Sequence, residues 1–398
     1  MITRNGATIA VDVSAIHDNG YKANGHASGL LFGYNNSDPA IGLVTPVGFK
    51  FHRQGVADTI SNSGRDSAIG AQPIPVLSHD WSGRSVCPGD SGSWTAWDSY
   101  VDTKLASLNS AGVTPFAVDV WNEPDTPAEW PRPMSQFRTA WSRAATKIRS
   151  YGWKAVGPSL AVFSATELHA FLSAVGAVDV LSIHALTAGD HNSWRSMVGQ
   201  LRAVGKYYGS ANVPILLGEY ASSWDDIADP GTLLGWLIAI EETRTDSSCH
   251  SIFNEPTPTV DGALTGSKAL LAGLLAPGYF KRSTWWLMKY YTEMTGRVAA
   301  SLSAGTMASA NVGAVSVCIV RPTSAAPMPT KVSIINASAV MGHGSWSVSM
   351  SILPHRGYGT LDAPIPYSTQ SVTDQAQFTV ELPPIQQHTA YTISVDPA

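Results

Sequence analysis

The chain has 398 residues, 44% hydrophobic and 14% charged, enough for one large domain with a small one or for two medium ones. A net charge of −5, with no basic run of five or more residues, argues against a nucleic-acid partner. No apolar run is long enough to span a bilayer, so no membrane partner is expected. The N-terminus, Met-Ile-Thr-Arg-Asn-Gly, lacks an apolar signal core. The expected location is cytoplasmic, or secreted or periplasmic if a signal peptide has already been removed. Three widely spaced cysteines, Cys87, Cys249 and Cys318, make no metal pattern and at most one disulfide, with Cys87 and Cys249 the pair near expected loops.

In chain order, Ala7 to Val13 alternates apolar and polar, as a half-exposed strand should. Gly29 to Tyr34 can be a first buried strand, and Val47 to Gly55 a second, ending in His52 and Arg53. Pro73 to His79 reads as a third, leading into Asp80 and Trp81. Trp94 to Ala111 is helical by the spacing of Trp97, Val101, Leu105 and Leu108. The β-branched run Val113 to Val120 reads as a fourth buried strand, with Pro124 holding Glu123 extended at its end. Ser135 is a natural cap for a helix over 136–149.

Lys154 to Ala161 is the fifth strand, Glu167 to Val175 a helix, and Val178 to His184 the sixth strand. A helix from Ser193 to Tyr208 precedes a seventh strand, Val213 to Leu217, and a helix over 231–243 follows it. Ser251 to Phe253, running into Asn254-Glu255-Pro256, reads as the eighth strand, and 282–294 as the last helix. This eightfold strand–helix alternation fits an α/β fold, a (β/α)8 TIM barrel. Past Gly296 the chain is Ser/Thr/Pro-rich, with short alternating runs and no helical pattern. That region reads as an accessory C-terminal antiparallel β-sandwich that includes the N-terminal strand. The expected domains are 1–20 (N-terminal strand joining the sandwich), 21–297 (barrel) and 298–398 (sandwich).

Two carboxylates stand at strand ends, where such barrels keep their chemistry. One is in Trp121-Asn122-Glu123-Pro124-Asp125, the other in Leu217-Gly218-Glu219-Tyr220. Two complete strand–helix units separate them, which places them across the barrel mouth. The Val-Trp-Asn-Glu-Pro-Asp form resembles the acid/base motif of the clan A retaining glycoside hydrolases, and is most similar to glycoside hydrolase family 39 and its neighbours. The resemblance covers Gly29 to about Gly296. It implies a retaining glycosidase acting on an oligo- or polysaccharide by double displacement, with Glu123 as acid/base, Glu219 as nucleophile and no cofactor. It further implies that Arg53 hydrogen-bonds the nucleophile, that Asn122 binds the sugar 2-hydroxyl, and that His184 lines the sugar pocket. The family pattern places an aromatic two residues after that histidine, and here Leu186 stands there.

The remaining candidates come from position and residue type. Tyr220 can reach Glu219 or the sugar, and Trp121 and Asp80 flank the two strand ends. Trp81 and Trp286, with Trp224 and Trp285, can stack on sugar faces or pack a core. Glu255 copies the acid/base tripeptide but lies only one strand beyond Glu219, which suits a substrate-side or structural role. Asp225, Asp226 and Asp229 read as a solvated acidic loop rather than a calcium site, since their spacing matches no EF-hand. Two other function classes stay open. One is a non-catalytic carbohydrate-binding protein on the same barrel. The other is a metal-dependent hydrolase using His52, His79 and His184, although their spacing is not that of a metal motif and no metal is expected.

Overall fold

The computed structural model describes residues 1–22, 29–31, 41–81, 86–186, 190–220, 229–250, 256–258, 264–267, 275–276, 280–322, 327–355 and 359–398. The chain divides into two compact units: Ala27–Ser222 with Thr245–Phe253, and Met1–His26 with Ser223–Arg244 and Asn254–Ala398.

The first unit holds a closed barrel of eight parallel strands. They are Gly29–Leu31, Phe51–Gly55, Gln72–Val76, Val118–Asp119, Ala155–Leu160, Val180–Ala185, Ile215–Tyr220 and Ser247–His250. Helices Val56–Ile69, Thr95–Ser110, Met134–Ser150, Ala165–Val175 and Asp190–Tyr207 follow the second to sixth strands. Phe51, Ile74, Ala117, Val156, Val180, Leu216 and Cys249, one from each of the second to eighth strands or its lead-in, pack as one apolar layer inside the barrel. Side chains alternate along a strand, so the residue two places on also points inward. Phe51 leads to Arg53, Ala117 to Asp119, and Val180 to Ser182 and His184. On the fifth and seventh strands the register shifts, between Pro158 and Leu160 and between Leu217 and Tyr220. Such irregularities re-aim side chains beside functional sites. Here they turn Ser159 and Glu219 into the polar layer above the apolar one.

Three expectations about this unit are corrected. The fourth strand is only Val118–Asp119, because Pro115 in the run before it has no N–H for a ladder. The helix after it starts at Met134 behind Pro133, with no side-chain cap from Ser135. The eighth strand is the polar Ser247–His250 rather than 251–253, a segment outside the described residues.

In the second unit, a seven-stranded antiparallel sheet and a four-stranded sheet share one apolar core. The N-terminal strand Thr8–Asp12 joins the smaller sheet as expected, pairing in parallel with Lys331–Ile335. Ile9, Val11, Val332, Ile334, Val380 and Phe378 face Val317, Trp346, Val348 and Ile393 in that core. The helices Pro230–Glu242 and Ser283–Glu293 belong to this unit as well. The first is buried on nearly every side and packs on strands Arg297–Ser301, Thr306–Asn311 and Ala390–Pro397. The compact units therefore divide the chain differently from the expected boundaries at 20 and 297, which followed changes in composition. Asp229 caps the first of these helices through the backbone of Gly231 and Thr232, and pairs with His388.

Candidate active site

Arg53 organises the polar layer at the barrel mouth. Its Nη1 donates to Glu219 Oε1 at 2.8 Å, and its Nη2 to Asn122 Oδ1 at 3.0 Å. Its Nε and Nη2 donate to Asp119 Oδ2 at 3.1 and 2.8 Å. Ser159 Oγ donates to the other Asp119 oxygen at 2.9 Å. All of these side chains are buried. Burial opposes the Arg53 cation, but the carboxylates of Asp119 and Glu219 outweigh it and push its pKa up. The guanidinium is therefore a fixed charge with a planar fork of donors.

Burial pushes the Glu219 carboxyl above its ordinary value, against the pull of His184 and Arg53 and with a further upward push from Glu123. Its Oε2 accepts no hydrogen bond from any described residue. Gly218 is needed beside it, because a Cβ there would lie 2.8 Å from His184 Nε2.

His184 Nδ1 lies 2.9 Å from Glu123 Oε1 and 3.8 Å from Glu219 Oε1. One ligand atom from each of the three side chains falls within 4.8 Å of the other two. Glu219 is 1% exposed and Glu123 16%, so one carboxyl is sealed and the other reaches solvent.

The backbone of Glu123 is held in an unusual conformation. Pro124 was expected to keep it extended, yet its φ is +47°. A non-glycine residue in this region carries strain that its surroundings must offset. Here Glu123 N donates to Ser159 O, and Thr126 donates to Glu123 O through both N and Oγ1. Asp125 accepts from the backbone of Ala161 and Val162, tying this turn to the end of the fifth strand. Asn122 N donates to Ser78 Oγ at 3.0 Å. Because Arg53 occupies its Oδ1, the Asn122 amide offers its Nδ2 as the donor end.

Of the residues singled out in the sequence, Arg53, Asn122, Glu123, His184 and Glu219 converge. Several others do not. Trp121 packs edge-on against Trp130 and donates to Glu129 O, inside an aromatic cluster with Trp97. Trp81 joins the same cluster through Trp97 and Tyr100. Asp80 accepts from Ala57 N at the start of helix Val56–Ile69 and pairs with Lys104. All three make structural contacts outside the converging set. Tyr220 is buried, with its ring tilted against that of His250.

Trp286 lies in the other unit, donating to Leu361 O with Lys281 over its ring, and Trp285 is buried there too. Glu255, Trp224, Asp225 and Asp226 lie outside the described residues. His52 turns to Asp66 at 3.2 Å, so the three strand-end histidines do not converge. Cys87, Cys249 and Cys318 are free thiols, which corrects the conceivable Cys87–Cys249 bridge. Asp119, Ser159 and Ser78 were missed. For Asp119 the signal existed: a carboxylate inside an apolar buried strand must have a partner.

No protein-family model and no curated protein matches the sequence. Solved structures match in fold. N2152 from Neocallimastix frontalis superposes with a TM-score of 0.81 at 20% identity, over 99% of this chain and 100% of that one. A GH39 enzyme from Xanthomonas axonopodis pv. citri gives 0.74 at 15% identity, over 99% and 98%. A monomeric beta-xylosidase from Caulobacter crescentus CB15 gives 0.74 at 13% identity, over 98% and 99%. The chain shares the fold of these structures, a (β/α)8 barrel with an accessory β-sandwich.

Proposed function

We propose that the protein is a retaining glycoside hydrolase that cleaves an oligo- or polysaccharide by double displacement. The observation that carries this reading is the approach of Glu123 and Glu219 to within 4.8 Å through their nearest ligand atoms. Retaining enzymes hold their carboxyls about 5–5.5 Å apart, whereas inverting ones leave about 6.5–9.5 Å for a water.

Glu219, ionised and aligned by Arg53, attacks the anomeric carbon. Glu123, protonated and partly open to solvent, donates to the leaving oxygen. The negative charge on Glu219 is then gone. Glu123 takes a proton from the water that hydrolyses the glycosyl-enzyme. Asn122 Nδ2 is placed to donate to a sugar hydroxyl. His184 orients Glu123, and Asp119 and Ser159 orient Arg53. The barrel unit, Ala27–Ser222 with Thr245–Phe253, would carry the catalysis. Because one structural neighbour is a beta-xylosidase, xylosides head the substrate panel.

The test is hydrolysis of aryl glycosides and polysaccharides by wild type, Glu219→Gln and Glu123→Ala. Wild type should cleave at least one substrate. Both variants should lose about 10³-fold or more, and azide should rescue Glu123→Ala alone. Glycan binding without cleavage by wild type would favour the non-catalytic reading. Full activity in Glu219→Gln would remove it as nucleophile.

A further inference from the structure

The two carboxylates and the imidazole of the active site also form a ligand set of the kind that holds a transition metal. Their atoms stand 2.9 Å (His184 Nδ1 to Glu123 Oε1) and 3.8 Å (His184 Nδ1 to Glu219 Oε1) apart, and one atom from each residue lies within 4.8 Å of the others. Ligands about 2.0–2.2 Å from a tetrahedral zinc sit roughly 3.4 Å from one another, a spacing that the first two distances bracket. The third closes by rotation of the Glu123 carboxyl, which is 16% exposed.

A second observation points the same way. Glu219 is buried, and its Oε2 has no hydrogen-bond partner among the described residues. A buried carboxylate oxygen left in that state favours a cation. The charge around it is also negative. Glu123, Glu219 and Asp119 supply three carboxylates against the one guanidinium of Arg53, which is itself held by Asp119.

We propose that this centre binds one divalent transition cation, zinc or copper, through Glu123, His184 and Glu219, and that the bound ion inhibits the enzyme. The inhibitory part rests on the glycosidase reading; the binding part does not. A nitrogen ligand with two carboxylates suits zinc and copper, whereas magnesium and calcium want six or more oxygens. Three protein ligands leave a fourth position for water, in the place where the sugar would meet both carboxylates. The ion therefore competes with substrate, and a chelator restores activity. A metal-dependent hydrolase would respond to the chelator in the opposite sense.

The experiment is calorimetric titration of the full chain with zinc chloride and with magnesium chloride at neutral pH. Wild type, His184→Gln, Glu219→Gln and Glu123→Gln are compared, each checked for folding by its melting curve. His343→Ala, which removes the exposed His343–Asp374 pair, controls for surface binding. One zinc ion should bind per chain, and magnesium should not. Each active-site variant that folds should weaken zinc by about 30-fold or more, while His343→Ala should not. On any aryl glycoside that wild type cleaves, zinc should inhibit competitively and reversibly. Absence of zinc binding at about 1 mM, or equal affinity in the active-site variants, overturns the proposal. If wild type binds zinc in this pattern but cleaves no glycoside, the metal site stands and the glycosidase reading fails.

Discussion

The interiors of the two units follow opposite rules. Beneath the sandwich sheets the core is apolar throughout, and Val332, Ile334, Val348 and Ile393 alternate with outward residues. At the barrel mouth the buried layer is Arg53, Asp119, Asn122, His184 and Glu219, an interior that hydrophobic burial alone would reject. A buried charge is tolerated only with partners, and breaking such a set costs several kcal/mol. Stability is the evident return from the first interior. The second makes sense as a site where geometry and electrostatics are held ready at a cost in stability.

The sharpest way to break this contrast is to loosen the polar layer without removing a reacting carboxyl. Arg53→Lys keeps the charge but loses the fork that reaches Glu219, Asp119 and Asn122 together. Its kcat should fall by about 10²–10³-fold with a smaller change in KM, measured by steady-state kinetics. Asp119→Asn should cost about 10–100-fold by releasing Arg53. Its acid limb should also move to higher pH. Burial already raises the Glu219 pKa, and a less firmly held Arg53 opposes that rise less well. The proposed nucleophile must be ionised to attack, so activity should be lost as pH falls through this raised value. An unchanged acid limb in Asp119→Asn would mean that Asp119 does not act through Arg53.

In the sandwich the reverse outcome is expected. Ile334→Ala removes a fully buried side chain and should cost about 2–5 kcal/mol in denaturant unfolding. The kcat of the remaining folded enzyme should not change. A lowered kcat with intact stability would contradict the division of roles.

Glu241 is an exception within the second unit, and gives the smallest expected effect. Burial pushes its carboxyl up to about 7, with Tyr291 donating to it against that rise. A folded-state pKa above the unfolded one means stability that is complete below the unfolded value and lost as pH climbs through about 7. Glu241→Gln should flatten this dependence, by roughly 2–3 kcal/mol between mildly acidic and mildly alkaline pH. Melting temperatures across that range would show it. Parallel curves for variant and wild type would count against a protonated Glu241.

Legibility in the sequence followed the range of the interactions. The seven apolar barrel strands, the sandwich and the strand-end placement of the two glutamates could be read because period, turn residues and strand-end position are local properties. Ser247–His250 could not, since a buried strand of two serines, a cysteine and a histidine carries no apolar run. Asp119 and Ser159 were invisible as a pair because their meeting is tertiary: Ser159 turns inward only through the irregularity in the fifth strand. The packing of Trp121 and Trp81 was illegible for the opposite reason. They lie next to the motif and the third strand end in sequence, but pack edge-on with Trp97, Tyr100 and Trp130. Sequence adjacency did not say which face of the turn they occupy.

The most direct test of the central claim is to trap the covalent intermediate. The wild-type protein is incubated with a 2-deoxy-2-fluoro glycoside of the sugar it cleaves best, digested, and its peptides sequenced by mass spectrometry. The account predicts one sugar per chain, esterified to Glu219, and no adduct on Glu219→Gln. Active enzyme that accumulates no adduct and releases product of inverted anomeric configuration, or that carries the label on another carboxylate, would contradict it.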